Sequence, residues 1–432
     1  MLKMRKMKDS GIEWIGEIPE GWEIVPVRSC FDEVRTKNTN GQEQNALQFK
    51  SGNIISKTNF NASMDDYVAD TITNYTVVLP DTVMINGLNL NYDFKSLRVA
   101  LVKEKGVITS AYLAIFPDRK KISPQYATYL FKGYETKMAF HNMGAGIRKT
   151  LGYKEFKNQP LLLPSKEEQN KISAYLDSKC SHIDIMLSKI RSSIEEYKKL
   201  KQAVIMQAVT KGVRGEREMK DSGVEWIGKI PKEWVIQKIK SISSRINVGV
   251  VIRPSEYFDE NGTVPFLRGI NVKEYLISSD NMVYINESSN RILSKSQVHT
   301  DDILIVRDGS IGTSCVVPAE FDGANVVSMV IATPSISCDS RFICYSLNSD
   351  VGKTQFTLTK IGSALTHTSV SAVSDIIVAV PSCAEQKEIA DYLDAKCVEI
   401  DGLIAKKEQL VKELESYKKS LIYEVVTGKR EV

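Results

Sequence analysis

Gly352-Lys353-Thr354 has the closing residues of a phosphate-binding loop, but the glycine required five positions earlier is Leu347. That loop is therefore absent, because its backbone could not wrap a phosphate. No Gly-x-Gly-x-x-Gly follows an apolar run, no Asn-Pro-Pro-aromatic sequence occurs, and the four histidines are dispersed. The seven cysteines stand singly, with no Cys-x-x-Cys pair. Such usage argues for reduced thiols in a cytoplasm and against a disulfide framework or structural zinc. The expectation is no catalytic, cofactor-binding or metal-binding residue in this chain.

Recognition chemistry is better represented. Arg and Lys suit a guanine edge, Asn and Gln suit adenine, and Ser and Thr serve either. Side chains of these types follow short apolar runs, where a turn after a rigid strand carries them into a groove. In the second half of the chain they are Arg268, Asn271, Arg307 and Ser310, with Thr366 and His367 in a later turn. Counterparts in the first half are Asn86, Asn89, Asn91, Arg148 and Lys149. The competing fates are phosphate contact, which positions without specifying, and plain exposure to solvent.

A chain of 432 residues, 42% apolar and 25% charged, suits two to three soluble domains. Its net charge of +4 does not by itself point to nucleic acid. The charge is uneven, however: Arg28 to Lys157 holds 18 Lys/Arg against 12 Asp/Glu, and Lys238 to Asp375 holds 12 against 14. The first region has the charge to bind a polyanion unaided, and the second would need local positive loops or a partner. Met1 to Gly11 is basic with no apolar run behind it, unlike a signal peptide. No run approaches the roughly 18 apolar residues of a membrane helix.

The elements that must position these residues are written twice. Met7 to Trp22 reads MKDSGIEWIGEIPEGW and Met219 to Trp234 reads MKDSGVEWIGKIPKEW; thirteen of sixteen positions match when Ile12 and Val224 are counted as equivalent. All four tryptophans fall here, Trp14 and Trp22 against Trp226 and Trp234. A Trp-rich turn of this kind reads as a structural clamp. Pro164-Ser165 and Pro381-Ser382 then open a second repeat, each followed by Glu-Gln and by I-x-x-Y-L-D-x-K-C-x-x-I-D. Pro-Ser with an acidic residue three positions on is a helix-start signal.

Both helices carry one narrow apolar stripe. In the first it is Cys180, Ile183, Leu187, Ile190, Ile194, Tyr197, Lys201, Val204 and Ala208. In the second it is Cys397, Ile400, Ile404, Lys407, Val411, Leu414, Lys418, Leu421 and Val425. Steps of three and four on a charged helix suit helix against helix. About 44 residues at 1.5 Å rise make each roughly 65 Å long. Lys201 and Lys418 hold equivalent seam positions, as register-setting residues would, so replacing both by Leu is expected to raise stability while loosening register. The alternative is two unrelated amphipathic surface helices.

Between the repeats lie variable regions rich in strand-like runs: Thr76 to Leu79, Val83 to Ile85, Ile303 to Val306 and Val326 to Ile331. Helix is expected near Pro124 to Phe140 and Ser340 to Thr357. The fold class is α/β with mixed or antiparallel sheets. The expected divisions are 1–25 (first motif), 26–163 (first variable domain), 164–212 (central helix), 213–235 (linker and second motif), 236–380 (second variable domain) and 381–432 (C-terminal helix).

Taken together, the chain resembles the specificity subunits of type I restriction–modification enzymes over nearly its whole length. The resemblance lies in K-D-S-G-x-E-W-I-G-x-I-P-x-x-W and in the P-x-x-x-E-Q that begins each helix. It extends to Phe266-Leu267-Arg268-Gly269-Ile270-Asn271, to Ile305 to Gly312, and to the closing stretches Gly144 to Pro164 and Gly362 to Pro381. Where the second domain has Arg307-Asp308-Gly309-Ser310, the first departs with Asn86-Gly87-Leu88-Asn89.

The resemblance implies two target recognition domains separated by two long antiparallel coiled-coil helices, a tandem repeat with pseudo-two-fold symmetry. It further implies that each domain reads one half of a split, asymmetric site in double-stranded DNA. The helices would set the spacer, about 10 base pairs centre to centre, and dock two methyltransferase subunits, with restriction–translocase subunits joining for cleavage. S-adenosylmethionine, ATP and Mg2+ are then expected in the partners, with none in this chain, and the cytoplasm as the place of action. A duplicated coiled-coil scaffold for proteins and a self-contained methyltransferase are the alternatives.

Overall fold

The computed structural model describes residues 5–50, 52–57, 72–94, 97–143, 149–361 and 367–432. They form two compact units, Met1–Arg191 with Gln409–Val432, and Ser192–Glu408. Each unit holds the N-terminal part of one long helix and the C-terminal part of the other.

The first repeat folds into a hairpin in both units. Met7–Asp9 pairs antiparallel with Glu17–Pro19, and Met219–Asp221 with Lys229–Pro231. In each, the Asp side chain of Asp-Ser-Gly accepts the glycine N–H two residues on, at 2.9 Å, and the serine hydroxyl accepts the next N–H. Gly11, Gly16, Gly223 and Gly228 all have φ near +70°, a region open to glycine and costly for other residues.

In the first unit a four-stranded antiparallel sheet has the order Phe31–Glu33, Leu113–Pro117, Val83–Ile85, Val99–Leu101. In the second the order is Ser243–Val248, Met329–Pro334, Ile303–Val306, Ser314–Val316. These sheets are covered on both faces. Val83, Ile85 and Ile115 face one core and Met84, Ala100 and Ala114 another; Ile303 and Ile305 likewise oppose Leu304 and Val306. Burial on both faces turns strand alternation into continuous apolar runs, the pattern visible in the sequence. Val264–Leu267 pairs antiparallel with Val283–Ile285 and parallel with Asn325–Val326, so a smaller mixed sheet accompanies the second. Here the structure corrects one expected strand. The run from Val326 to Ile331 is broken at Ser328, whose φ is +50°, into the ends of two strands.

The expected domain helices are present as Pro124–Thr136, and as Ser340–Asn348 followed by Asp350–Ile361. The ends of each variable domain lie side by side. Glu23–Pro26 pairs with Pro160–Leu163, and Val235–Lys238 with Ile377–Val380.

The long helices run Lys166–Lys211 and Cys383–Val426. Ser165 and Ser382 hydroxyls accept the N–H groups of Glu168 and Glu385, which caps each start. Three further contacts tie each domain to its helix. Trp22 Nε1 donates to Glu168 Oε2 (3.0 Å), and Trp234 Nε1 to Glu385 Oε2 (3.2 Å). Gln169 accepts the Ser123 N–H and Gln386 the Asp339 N–H, each at the start of a domain helix. Tyr129 donates its hydroxyl to Asp177 and Tyr345 to Asp394, the aspartates of Tyr-Leu-Asp.

Arg5 and Arg217 complete the first of these ties. Each lies over the neighbouring Trp ring, 5.5 and 5.4 Å from its centre, and pairs with Glu168 or Glu385. Two repeated Arg–Trp–Glu clusters thus join motif to helix, a role for the tryptophans that is structural.

The stripe residues of both helices are buried or half-buried. In the first unit Cys180, Ile183 and Leu187 share a core with Leu421 and Val425. In the second Val204 and Ala208 share one with Ile389, Leu393 and Cys397. The chains run in opposite directions at these contacts: Asp184 meets Lys418 and Arg191 meets Glu415 in one unit, and Lys201 meets Asp401 and Arg214 meets Glu388 in the other. Neither seam lysine is therefore a lone polar residue; each has an aspartate partner at 2.6 Å.

Candidate nucleic-acid interface

In the first unit the chain leaves the strand Val83–Ile85 into a turn that carries Asn86, Asn89 and Asn91. Asn89 is exposed with φ +53°, and its carbonyl accepts the N–H groups of Tyr92 and Asp93. Leu90 is fully buried and anchors the turn from below. The turn leans on the closing stretch of the domain: Leu151 N–H donates to Gly87 O (2.9 Å) and Leu90 N–H to Lys149 O (3.2 Å). A Cβ on Gly87 would sit 2.5 Å from the Leu151 carbonyl, so this approach requires glycine. Exposed Lys149 is thereby brought beside the turn that carries Asn89. Arg148 lies outside the described residues.

The residue that shapes this turn was not among the candidates. Arg98 is 1% exposed, and its guanidinium donates to the carbonyls of Asn86 (2.9 Å), Leu88 (2.9 Å) and Asp93 (2.5 Å). Its own N–H donates to Glu135 Oε1 (2.5 Å) on the domain helix. Burial pushes the Glu135 carboxyl up to about 7, against the opposing pull of the Arg98 N–H and charge and of Lys132 and Lys419. The planar guanidinium carries five donors in a fixed fork, so two of its nitrogens reach three separate carbonyls, where a lysine would bring a single point of attachment. Asn86 is half-buried, with its Oδ1 accepting the Leu88 N–H, so its amide also shapes the turn.

In the second unit the strand Ile303–Val306 ends in Arg307-Asp308-Gly309-Ser310. Arg307 Nε donates to Thr368 O (2.9 Å) and Thr368 N–H donates back to Arg307 O (3.1 Å). The turn after this strand thus leans on the closing stretch too, at Thr368, which half-buried His367 precedes in the chain. Ser310 is exposed at the tip, and Asp308 accepts the Ser328 hydroxyl. Thr366 lies outside the described residues.

Asn271 departs from its expected role. It is 0% exposed; its Oδ1 accepts the Arg268 N–H and its Nδ2 donates to Ser278 O and Asp280 O. The amide organises the loop from Arg268 to Asp280 and presents nothing to a groove. Arg268 is half-buried, its guanidinium donating to Asn281 O. Asn is as suited to tying loops as to reading adenine, and burial selects the former.

Among the described residues, no cluster of three His, Cys, Asp or Glu side chains could hold a metal ion, and no helix is long and apolar enough to cross a membrane. What the two turns share is polar groups displayed at the same end of equivalent central strands, backed by a closing stretch.

Residues 231–414 match the family model described as the type I restriction modification DNA specificity domain. The putative type I restriction enzyme MjaX specificity subunit of Methanocaldococcus jannaschii is 25% identical over 427 residues, 96% of this chain and 95% of that one. The MjaVIII specificity subunit of the same organism is 24% identical, covering 95% and 93% of the two chains. Among solved structures, a chain from work on complex assembly and conformational transition of the type I R-M system aligns with a TM-score of 0.73 at 14% identity, over 96% of this chain and 99% of that chain. The HsdS subunit from Thermoanaerobacter tengcongensis aligns at 0.52 and 15% identity, over 98% and 100% of the chains. Over its repeated motifs, both variable domains and both long helices, the chain is thus similar to specificity subunits of type I restriction enzymes.

Proposed function

We propose that this chain is the DNA-reading subunit of a type I restriction–modification complex, in which each variable domain reads one half of a bipartite, asymmetric site. The observation that carries the reading is the pair of turns at Asn86–Asn91 and Arg307–Ser310. Each follows the same strand of a sheet of the same order, and each is braced by its closing stretch. Rigid strands with polar turns suit base-edge readout, and Lys149 and Arg307 supply donors for phosphate or guanine.

The repeat supports a pseudo-two-fold arrangement in which the long helices set the unread spacer and dock two methyltransferase subunits. Catalysis then belongs to the partners, which supply S-adenosylmethionine, ATP and Mg2+, with restriction–translocase subunits added for cleavage, in the cytoplasm. This chain's part is to place its partners on the chosen sequence.

The test is binding of duplex DNA by the chain assembled with its methyltransferase subunits, followed against salt. Neutralising several phosphates makes the logarithm of affinity fall steeply with the logarithm of salt. A steep slope with preference for one bipartite sequence is expected, together with no S-adenosylmethionine turnover by the isolated chain. A protein scaffold would show neither slope nor preference, and turnover by the chain alone would indicate a self-contained methyltransferase.

A further inference from the structure

Beside the polar candidates of the first turn stand two large aromatic side chains that hydrogen-bond readout does not use. Tyr92 is 72% exposed and Phe94 is 57% exposed. Single exposed apolar residues are ordinary on a protein surface. These two belong to one short segment whose backbone is unusually well tied. Arg98 holds the carbonyl of Asp93 between them, and the His141 ring nitrogen lies 3.2 Å from the same oxygen. Phe94 stacks on the His141 ring with centres 5.0 Å apart. The Tyr92 N–H donates to Asn89 O, so the backbone that carries both rings is fixed relative to the exposed Asn89.

The chain thus devotes a fully buried arginine to a segment that turns aromatic faces to solvent. Aromatic side chains on a fixed backbone have few torsions to lose on binding, which is why such residues serve recognition surfaces. Every base pair offers polar groups in the major groove, but the apolar one there is the thymine C5-methyl.

We propose that Tyr92 and Phe94 are specificity-determining residues for the first half-site, packing against the methyl group of a thymine in the major groove. This rests on the reading of the chain as a DNA-sequence reader. Arg98 acts through them as a positioning residue, since its guanidinium holds the carbonyls of the turn and the Asp93 carboxylate (3.6 Å).

The experiment uses the full chain assembled with its methyltransferase subunits. The methylated motif of the wild type is mapped first, and each thymine of the first half-site is then replaced in turn by deoxyuridine, which lacks the methyl. At one position the wild-type methylation rate is expected to fall about fourfold, the worth of one buried methyl-sized group. Y92A or F94A is expected to abolish that sensitivity while the second half-site is read as before. Both substitutions are on exposed side chains, so the fold is not at stake.

The proposal is overturned by a wild type indifferent to every replacement, by variants that keep the sensitivity, or by a first half-site of G·C pairs alone. Loss of assembly with the methyltransferase subunits in Y92A or F94A overturns it too, since it would make the rings a protein contact. A wild type without any bipartite motif defeats the DNA-reading account itself, and this inference with it.

Discussion

Lys201 Nζ lies 2.6 Å from Asp401 Oδ2 in one compact unit, and Lys418 Nζ stands at the same distance from Asp184 Oδ1 in the other. Each lysine belongs to one copy of the long helix and each aspartate to the other. The aspartates close the repeated motif that ends in Ile-Asp, and each lysine stands 17 residues further along the same helix copy, so the helical repeat supplies both pairs.

These pairs change what substitution should do. A lone seam lysine would trade stability for register, and leucine would then stabilise. With partly exposed ion pairs, each worth about 0.2–1 kcal/mol, the apolar gain and the lost pair offset each other. K201L/K418L is expected to stay within about 1 kcal/mol of the parent per site. K201D should lower the thermal midpoint by facing Asp401 with like charge, and K201D/D401K should recover most of the loss. Equal midpoints for K201D and the swapped pair would mean that the contact sets nothing.

The Arg–Trp–Glu clusters predict an asymmetry between copies. The Glu385 side chain is almost fully buried between Arg217 and Trp234, whereas Glu168 is about one-quarter exposed. Removing one partner of a buried pair costs about 3–5 kcal/mol, and of an exposed one about 1 kcal/mol or less. E385A is therefore expected to lower the denaturant midpoint well beyond E168A. Equal losses would contradict the burial argument.

The long helices, Arg–Trp–Glu anchors and double-sided sheets differ in how far the sequence reveals them. Seam and strand positions are readable because burial imposes a period on them, three and four along the helices and continuous on sheets covered from both sides. Arg98 is invisible for the opposite reason. An arginine before a strand reads as a surface or phosphate group, and tertiary packing alone puts it beneath the turn. Asn271 fails similarly, since its chemistry fits a groove or a loop and the sequence does not say which way it faces. The break at Ser328 has no glycine or proline to announce it. Arg5 lies two residues before the recognised repeat, so its match with Arg217 shows only once both reach a Trp ring.

Glu135 gives the first domain a pH dependence. Its carboxyl is raised from an ordinary 4.5 to about 7 by burial, so the folded domain holds that proton more tightly than the unfolded chain. The resulting stability is fully present below about 4.5 and is lost as pH rises through 7, with no further loss above. E135Q keeps an acceptor for the Arg98 N–H and carries no titrating group. Its thermal midpoint should be flatter than the parent's between pH 5 and 7.5; an unchanged slope would assign the dependence elsewhere.

If the helices set the spacer, lengthening must respect both ion pairs. Four residues after Ile194 alone put Lys201 out of step with Asp401 or Lys418 out of step with Asp184. Four residues after Ile194 together with four after Glu408 keep each pair and add about one turn, roughly 6 Å, to each helix. The mapped spacer should lengthen by about one or two base pairs with both half-sites unchanged. An active double insertion that keeps the original spacing would show that the helices are not the ruler.

The central claim is that two separate readers share one chain, and the paired ends of each variable domain make it testable. Strands at Glu23–Pro26 and Pro160–Leu163 bring the two junctions of the first domain together, so residues 26–163 can be exchanged with the helix sequences unchanged, provided that the incoming domain keeps counterparts of Ser123 and Tyr129. The decisive measurement is genome-wide methylation mapping in cells that carry the partner methyltransferase, with the parent chain or with that segment replaced by another recognition domain. The account predicts a bipartite motif for the parent and, after the exchange, a new first half with the second half and spacer retained. A motif altered in both halves, or in neither, would contradict it.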